Sequence, residues 1–377
     1  MPRTREIGVY VHVPFCVKKC YYCAFNTAPH DDEAMRRYVS AVRSEIAIAA
    51  RAGWASDVAV ASVFFGGGTP SLLHPDDLAG ILASLGRAFV VAPDAEITIE
   101  CNPESVTRPK FEAYRASGVT RVSLGVQSLD DAILLTLGRL HGSTGARRAF
   151  EAARAAGCDN VSVDLMYGLP DQDGAAWRRT VGAVLDWRPD HLSPYGLSLD
   201  AGSVWGSTEV PGLPPEDTVV EQYWTLAREA RARGYDHYEI SNYARPGFRS
   251  RHNLGYWRRG EYLAFGPGAC GFLGDVRWGN AKPVARYCGE IEAGRLPIET
   301  FERLDTGQAL AERLILGLRT SDGVPREWLA ARLEGDRRLA ERVASWRAAG
   351  WLLDERDRVR LTEAGFLVSD ALFVDLL

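Results

Sequence analysis

Tyr10–Asn26 reads YVHVPFCVKKCYYCAFN, and its three cysteines, Cys16, Cys20 and Cys23, form the pattern C-x-x-x-C-x-x-C. The stretch opens in an apolar run, Val9 to Val13, with the character of a buried strand. Three thiolates on one short loop can hold three irons of a 4Fe–4S cluster and leave the fourth iron without a protein ligand. An open coordination position is what distinguishes a reactive metal site from a structural one. The alternatives are a structural zinc site or three buried thiols, and three cysteines within eight residues are uncommon as mere core thiols. Zinc usually takes four ligands with paired C-x-x-C or histidine spacings, and no second pair accompanies this one. Lys18 and Lys19 lie between the cysteines, where they either offset thiolate charge or belong to a solvated loop.

The 377 residues suffice for a large catalytic domain and a smaller one. A net charge of −5 argues against a nucleic-acid partner. Only Lys18, Lys19, Lys110 and Lys282 are lysine, so arginine runs carry less meaning here than usual. Seven cysteines, four of them scattered (Cys101, Cys158, Cys270, Cys288), are no disulfide framework. The chain opens with strand-like residues rather than a signal peptide and has no 18-residue apolar stretch. A reducing cytoplasm is therefore expected.

Outward from the cysteines, short apolar runs alternate with helical patterns. Strands are expected at Gly8–Val13, Ser62–Phe65, Glu96–Glu100, Arg121–Gly125, Asn160–Met166 and His191–Tyr195, with helices such as 33–52, 75–88, 108–117, 145–156 and 175–186 between them. Repeated βα units imply a parallel sheet with right-handed crossovers. Six of them point to an α/β fold with a partial (β/α)6 barrel, in which chemistry gathers at the C-terminal strand ends. A helix at 216–233 and a short strand at 235–240 follow, then an irregular stretch rich in aromatics and arginine, 242–262. The tail WLLDERDRVRLTEAGFLVSDALFVDLL reads as a strand pair and a helix, as in a small winged-helix-like α+β domain. The expected division is a barrel domain at 1–235, a connecting segment at 236–305 and the C-terminal domain at 306–377.

Several strand-end residues suit a bound nucleotide. Gly66-Gly67-Gly68-Thr69-Pro70 lets a ligand approach the backbone. Glu100 can accept both hydroxyl protons of a ribose. Gln127 ends SLGVQ, Asp164 lies within VSVDLMYGLP, and Arg139 can meet a carboxylate in bidentate fashion. Surface or capping roles are the alternative for each, and their shared location favours the joint reading.

Together these residues resemble the radical S-adenosylmethionine (SAM) superfamily and, within it, the oxygen-independent coproporphyrinogen III oxidase-like group. YVHVPFC, FFGGGTPS, SLGVQS, DLMYGLP, HNLGYW and LTEAGFLVSD match in order along nearly the whole chain. The resemblance implies that Cys16, Cys20 and Cys23 hold the cluster. It also implies that Tyr10, Tyr22, Gly67, Gly68, Thr69, Glu100, Gln127, Arg139 and Asp164 contact SAM. An electron from a donor such as flavodoxin or ferredoxin would cleave SAM to methionine and a 5′-deoxyadenosyl radical, the protein orienting the reactants and excluding water.

Two features favour the heme-chaperone branch of that group over the oxidase. The oxidase resemblance includes a further cysteine two residues after the third ligand, and Phe25 stands there. His252-Asn253-Leu254-Gly255-Tyr256-Trp257 matches the chaperone signature H-N-x-x-Y-W. That signature implies heme contact for His252, Asn253, Tyr256 and Trp257, with Arg245, Arg249, Arg251, Arg258 and Arg259 near the propionates. An aromatic packing corner with a satisfied histidine is the alternative. Cys270 replaces the histidine of a G-x-G-A-H-G pattern, and a small buried thiol is expected there. The expected partners are heme and an acceptor hemoprotein, with peripheral association at membranes carrying respiratory proteins. The rival functions are the oxidase itself, a radical SAM methyltransferase or related biosynthetic enzyme, and a structural cluster protein without SAM chemistry.

Overall fold

The computed structural model describes residues 5–54 and 57–377. Its main body is built on β1 (Arg5–Val13), α1 (Asp32–Arg51), β2 (Val58–Gly67), α2 (Pro75–Ala88), β3 (Val90–Cys101), α3 (Arg108–Ala116), β4 (Arg121–Gln127), α4 (Ser143–Ala155), β5 (Val161–Tyr167), α5 (Gly174–Asp186) and β6 (His191–Gly196). The six strands pair in parallel in chain order, giving the expected (β/α)6 arc.

Alternation along the strands sorts the two faces. In β4, Val122, Leu124 and Val126 point outward into the helix-covered core, as do Val161, Val163 and Leu165 of β5. The intervening residues, Arg121, Ser123 and Gly125 and then Ser162, Asp164 and Met166, face the lumen. The core between sheet and helices is therefore aliphatic and the lumen polar, which leaves room for chemistry inside. Local capping fixes the helix starts: Asp31 accepts from Ala34 N at 2.8 Å and Asp173 from Ala176 N at 2.7 Å, each worth about 1 kcal/mol.

The sheet continues past both ends of the arc. After α6 (Glu216–Ala232), β7 (Asp236–Glu239) and β8 (Asn242–Ala244) add antiparallel strands beside β6. Then come α7 (Arg251–Trp257), β9 (Tyr262–Phe265), β10 (Cys270–Leu273), β11 (Val276–Asn280), α8 (Val284–Glu292) and β12 (Ile298–Arg303). β9 runs parallel to β1, and β10 to β12 extend that edge as an antiparallel meander, giving twelve strands in all among the described residues. The stretch 242–262, expected to be irregular, thus holds a short strand and a two-turn helix. Elements of three to seven residues are too short to show a period.

The C-terminal part begins with α9 (Thr306–Leu318). A three-stranded sheet, β13 (Val324–Pro325), β14 (Leu352–Glu355) and β15 (Arg358–Leu361), packs with α10 (Arg326–Leu333), α11 (Arg337–Ala348), α12 (Glu363–Leu367) and α13 (Ser369–Leu376). It has its own core, including Leu314, Val343, Trp346, Val359 and Phe366. Tyr223 of α6 donates to Glu363 O at 2.8 Å and Ile240 N to Arg319 O at 3.0 Å across the junction. Among the described residues no helix is long and apolar enough to cross a membrane.

Candidate functional site

The cysteine loop follows β1 and is held from several sides. Phe15–Cys16 pairs with Ala28–Pro29, and His30 N donates to Cys16 O at 2.9 Å. Asn26 is the anchor. Its carbonyl meets His12 Nε2 at 2.8 Å, and its side-chain amide donates to Pro267 O and Lys282 O, both at 3.0 Å. A carbonyl can only accept, so His12 carries its proton on Nε2 and accepts the Tyr10 hydroxyl, 2.9 Å away, on Nδ1. Burial lowers the His12 pKa and keeps the ring neutral.

The Gly66–Thr69 turn lies against this loop. Gly68 N donates to Val13 O and Thr69 N to Phe15 O, both at 2.8 Å. Gly67 has φ +117°, and a Cβ there would fall 2.6 Å from the His12 ring. A Cβ on Gly68 would fall 2.7 Å from Phe15 O and 3.0 Å from Cys16 Sγ. Both positions need glycine because loop and turn touch. Thr69 Oγ1 lies 3.5 Å from Cys16 Sγ and accepts from Asn102 Nδ2 at 3.1 Å.

One cavity of about 370 Å³ gathers Cys16, Cys20, Cys23, Tyr22, Gly67, Gly68, Thr69, Glu100, Gln127, Arg139 and Asp164 on its walls. Tyr10 is the exception among the expected contacts. Its ring lies beneath Gly66, 3.0 Å from where a Cβ would be. Arg139 reaches Asn102 Oδ1 at 2.8 Å, Gly125 O at 2.7 Å and Cys20 Sγ at 3.6 Å. Glu100 accepts from Gly67 N at 3.1 Å. Burial, and secondarily the Asp164 charge, push Glu100 up to about 8. Asp164 accepts from Ser123 Oγ at 3.0 Å, and burial raises it too. Gln127 has φ +65°, and its Oε1 is buried without a partner, as is Arg139 Nε. Such orphaned groups in a polar cavity suit a ligand that is itself rich in donors and acceptors.

These walls fit a cluster and a nucleotide. Among the described residues, no three His, Cys, Asp or Glu side chains converge as a single-ion site requires. The three cysteines line one cavity, an arrangement that leaves room for a multi-iron cluster between them. Burial raises the Cys16 and Cys23 thiols, so binding them as thiolates releases protons.

Sequence reasoning did not find His12, Asn26, Asn102 or the Glu104–His141 pair. His141 Nδ1 lies 3.1 Å from Glu104, and its Nε2 donates to Val126 O at 3.1 Å, bracing the segment that carries Arg139. The run L-G-R-L-H held the signal for His141.

The HNLGYW residues lie elsewhere. His252 is 2% exposed and sits at the level of Gly8, Ser62 and Glu96, each five residues short of its strand's C-terminal end, or roughly 16 Å from the cysteine side. Trp257 packs under Arg319, 4.5 Å from its ring centroid. The neighbouring arginines are occupied: Arg251 pairs with Asp94, Arg249 and Arg258 with Asp322, Arg259 with Asp275 and Glu312, and Arg245 lies over Tyr235. Cys270, expected to be a buried thiol, is exposed: it is the first residue of β10, ahead of the buried Gly271 and Phe272.

Comparison with known proteins agrees with this geometry. Residues 10–183 match the model of the radical SAM superfamily. The heme chaperone HemW of Mycobacterium tuberculosis H37Rv is 39% identical over 99% of this chain and 95% of its own. HemW of Escherichia coli K12 is 37% identical over 72% of this chain and 71% of its own. Mouse radical S-adenosyl methionine domain-containing protein 1, mitochondrial, is 36% identical over 98% and 87%. The solved coproporphyrinogen III oxidase HemN of Escherichia coli shares the fold with a TM-score of 0.85 at 22% identity, over 99% of this chain and 90% of its own. The chain belongs to the radical SAM superfamily and, within it, to the HemW family.

Proposed function

We propose that this protein is a heme chaperone of the radical SAM type, which binds a 4Fe–4S cluster, SAM and heme and passes heme to an acceptor hemoprotein. The observation that carries the reading is one cavity walled by three cysteines and a nucleotide-binding set, in a chain similar over nearly its full length to proteins named heme chaperones. Phe25, 64% exposed beside the cysteines, stands where the oxidase resemblance has a cysteine, which supports the chaperone over the oxidase.

In this reading Cys16, Cys20 and Cys23 hold the cluster, which together with SAM supplies one-electron chemistry when bound. Glu100 orients the ribose by accepting its hydroxyl protons, and Gly67, Gly68 and Thr69 let the ligand lie against the backbone. The buried Gln127 Oε1 accepts a hydrogen bond, Arg139 faces the ligand's carboxylate, and Asp164 and Tyr22 complete the wall. Tyr10 acts from behind Gly66. Lys18 and Lys19 on the exposed loop suit an acidic electron carrier such as flavodoxin or ferredoxin. Residues 1–235 act as the cofactor-bearing unit, 236–305 as the connection and 306–377 as the C-terminal unit. The free cysteines suit a reducing compartment, the cytoplasm. Peripheral membrane association with respiratory hemoproteins is part of the same reading.

The test is anaerobic reconstitution followed by titration with hemin and mixing with an apo-hemoprotein. Stoichiometric hemin binding and its transfer to the acceptor are expected. Failure to bind hemin overturns the proposal, as does conversion of coproporphyrinogen to protoporphyrinogen on addition of SAM and a reductant.

A further inference from the structure

The HNLGYW segment forms α7, whose first two free N–H groups do not meet solvent. Arg251 N and His252 N both donate to the Glu96 carboxylate of β3, each at 3.0 Å, and Ser250 Oγ accepts from Asn253 N at 3.3 Å. A carboxylate at this position holds the helix start firmly. The helix is thereby pinned inside the barrel wall, with the His252 ring entering the lumen.

Inside, that ring has no free ligand atom. Nδ1 lies 2.9 Å from Ser62 Oγ and Nε2 lies 2.8 Å from Tyr256 OH. Neutral imidazole has one donor and one acceptor nitrogen, and the two hydroxyls use both. Burial keeps the ring neutral, lowering its pKa to about 3. Its Cε1 would lie 3.3 Å from a Cβ on Gly8, so the glycine makes the space that the ring fills.

The ring also begins a column of aromatics that ends at the cofactor cavity. His252 stacks on Phe64 at 5.1 Å and 27°, and Phe64 on Tyr10 at 6.3 Å and 25°. A Cβ on Gly66 would stand 2.9 Å from Phe64, 3.0 Å from Tyr10 and 3.2 Å from Glu100, so these rings lie directly behind the glycine turn and the Glu100 carboxylate. Tyr10 in turn donates to His12, which holds Asn26 of the cysteine loop. Close-packed interiors pass displacement along such contacts.

We infer that His252 is a positioning residue that closes the barrel floor and holds Phe64 and Tyr10 against the Gly66–Glu100 wall, and that it does not ligate the iron of heme. The inference rests on the reading of the cavity as a SAM site and of heme as cargo, and it assigns the signature histidine a different task.

The test uses full-length protein, anaerobically reconstituted, with SAM affinity measured by equilibrium dialysis and hemin binding by absorption and electron paramagnetic resonance. His252→Ala is expected to weaken SAM binding about fivefold, the scale of coupling through a packed network. His252→Gln should restore part of that loss by replacing the Nε2 contact. The hemin spectrum and affinity should match wild type in both. The double variant Ser62→Ala/Tyr256→Phe keeps the imidazole but removes its partners; it should also weaken SAM binding and leave the hemin spectrum unchanged. It decides the matter should His252→Ala fail to fold. A changed hemin axial-ligand spectrum in His252→Ala with normal SAM affinity overturns the inference. So does tighter hemin binding in the double variant, or unchanged SAM affinity throughout. Wild type that binds SAM but no hemin fails the chaperone reading instead, and the SAM arm still judges the positioning role.

Discussion

Gly67→Ala is the most direct test of how turn and cysteine loop are joined. The new Cβ would stand 2.6 and 2.7 Å from His12 ring atoms and 3.0 Å from Val13 O, at a φ of +117° that side chains avoid. The backbone strain alone costs about 1–3 kcal/mol. His12 cannot step aside freely, because it is 6% exposed and both ring nitrogens are bonded, to Tyr10 OH and Asn26 O. Losing those two bonds adds about 1 kcal/mol each, for a total near 3–5 kcal/mol out of a typical 5–15. The melting temperature of the cluster-free protein, followed by circular dichroism, should fall by roughly 5 °C or more. Because Asn26 releases the cysteine loop, iron and sulfide content after anaerobic reconstitution should fall as well. Gly86→Ala in α2 is the control: nothing lies within 4 Å of its added methyl, and it should stabilise by about 0.5–1 kcal/mol. A Gly67→Ala protein with wild-type melting and wild-type iron content would refute the reasoning.

Further outcomes follow from the titrating groups. Glu100, raised to about 8, is mostly protonated at neutral pH, so SAM affinity measured by equilibrium dialysis should rise between pH 7 and 9, and Glu100→Gln should weaken binding and abolish that rise. Glu45 of α1 is buried, accepts from Gly266 N, Asn280 Nδ2 and Tyr287 OH, and is raised by burial to about 7. A carboxyl raised in the fold stabilises below its unfolded pKa and loses that contribution as pH rises from about 4.5 to about 7. Denaturant unfolding should therefore show a loss of about 3 kcal/mol across that window, absent in Glu45→Gln. Glu363 is held down at about 2 by His237, whose Nδ1 is 3.4 Å away, and by Arg231. Its contribution, about 1 kcal/mol after solvent screening, is present above the unfolded pKa near 4.3 and lost as pH falls toward 2. Glu363→Gln should accordingly increase limited proteolysis at the C-terminal junction at pH 7 and make no difference at pH 2.

Much of this was legible because the barrel strands are read twice, once by their aliphatic face and once by their polar one. Val122-Ser123-Leu124-Gly125-Val126-Gln127 spells out a strand, its buried side and its ligand side together. The cysteines, the glycine turn, Glu100, Gln127, Arg139 and Asp164 were found because they stand at strand ends or in a distinctive spacing, and they do share one cavity. Asn26 and His12 were not found, since the contacts that tie them to the cysteine loop's surroundings run to main-chain carbonyls, of Pro267 and Lys282 for Asn26 and of Asn26 for His12, which no spacing reveals. Tyr10, expected as a contact of the ligand, faces the lumen opposite the core residues Val9 and Val11 and lies behind Gly66. The meander from 262 to 303 was missed because its strands are four to six residues long and broken by glycines.

Asn26 is made early, yet the carbonyls that hold it come 241 and 256 residues later. On the ribosome the three cysteines therefore emerge long before their loop can take its final shape. The machinery that delivers iron and sulfide meets a finished acceptor only after residue 282 has left the exit tunnel and docked. Truncations that stop short of that point should yield protein with every cysteine present and no ordered cradle to receive a cluster.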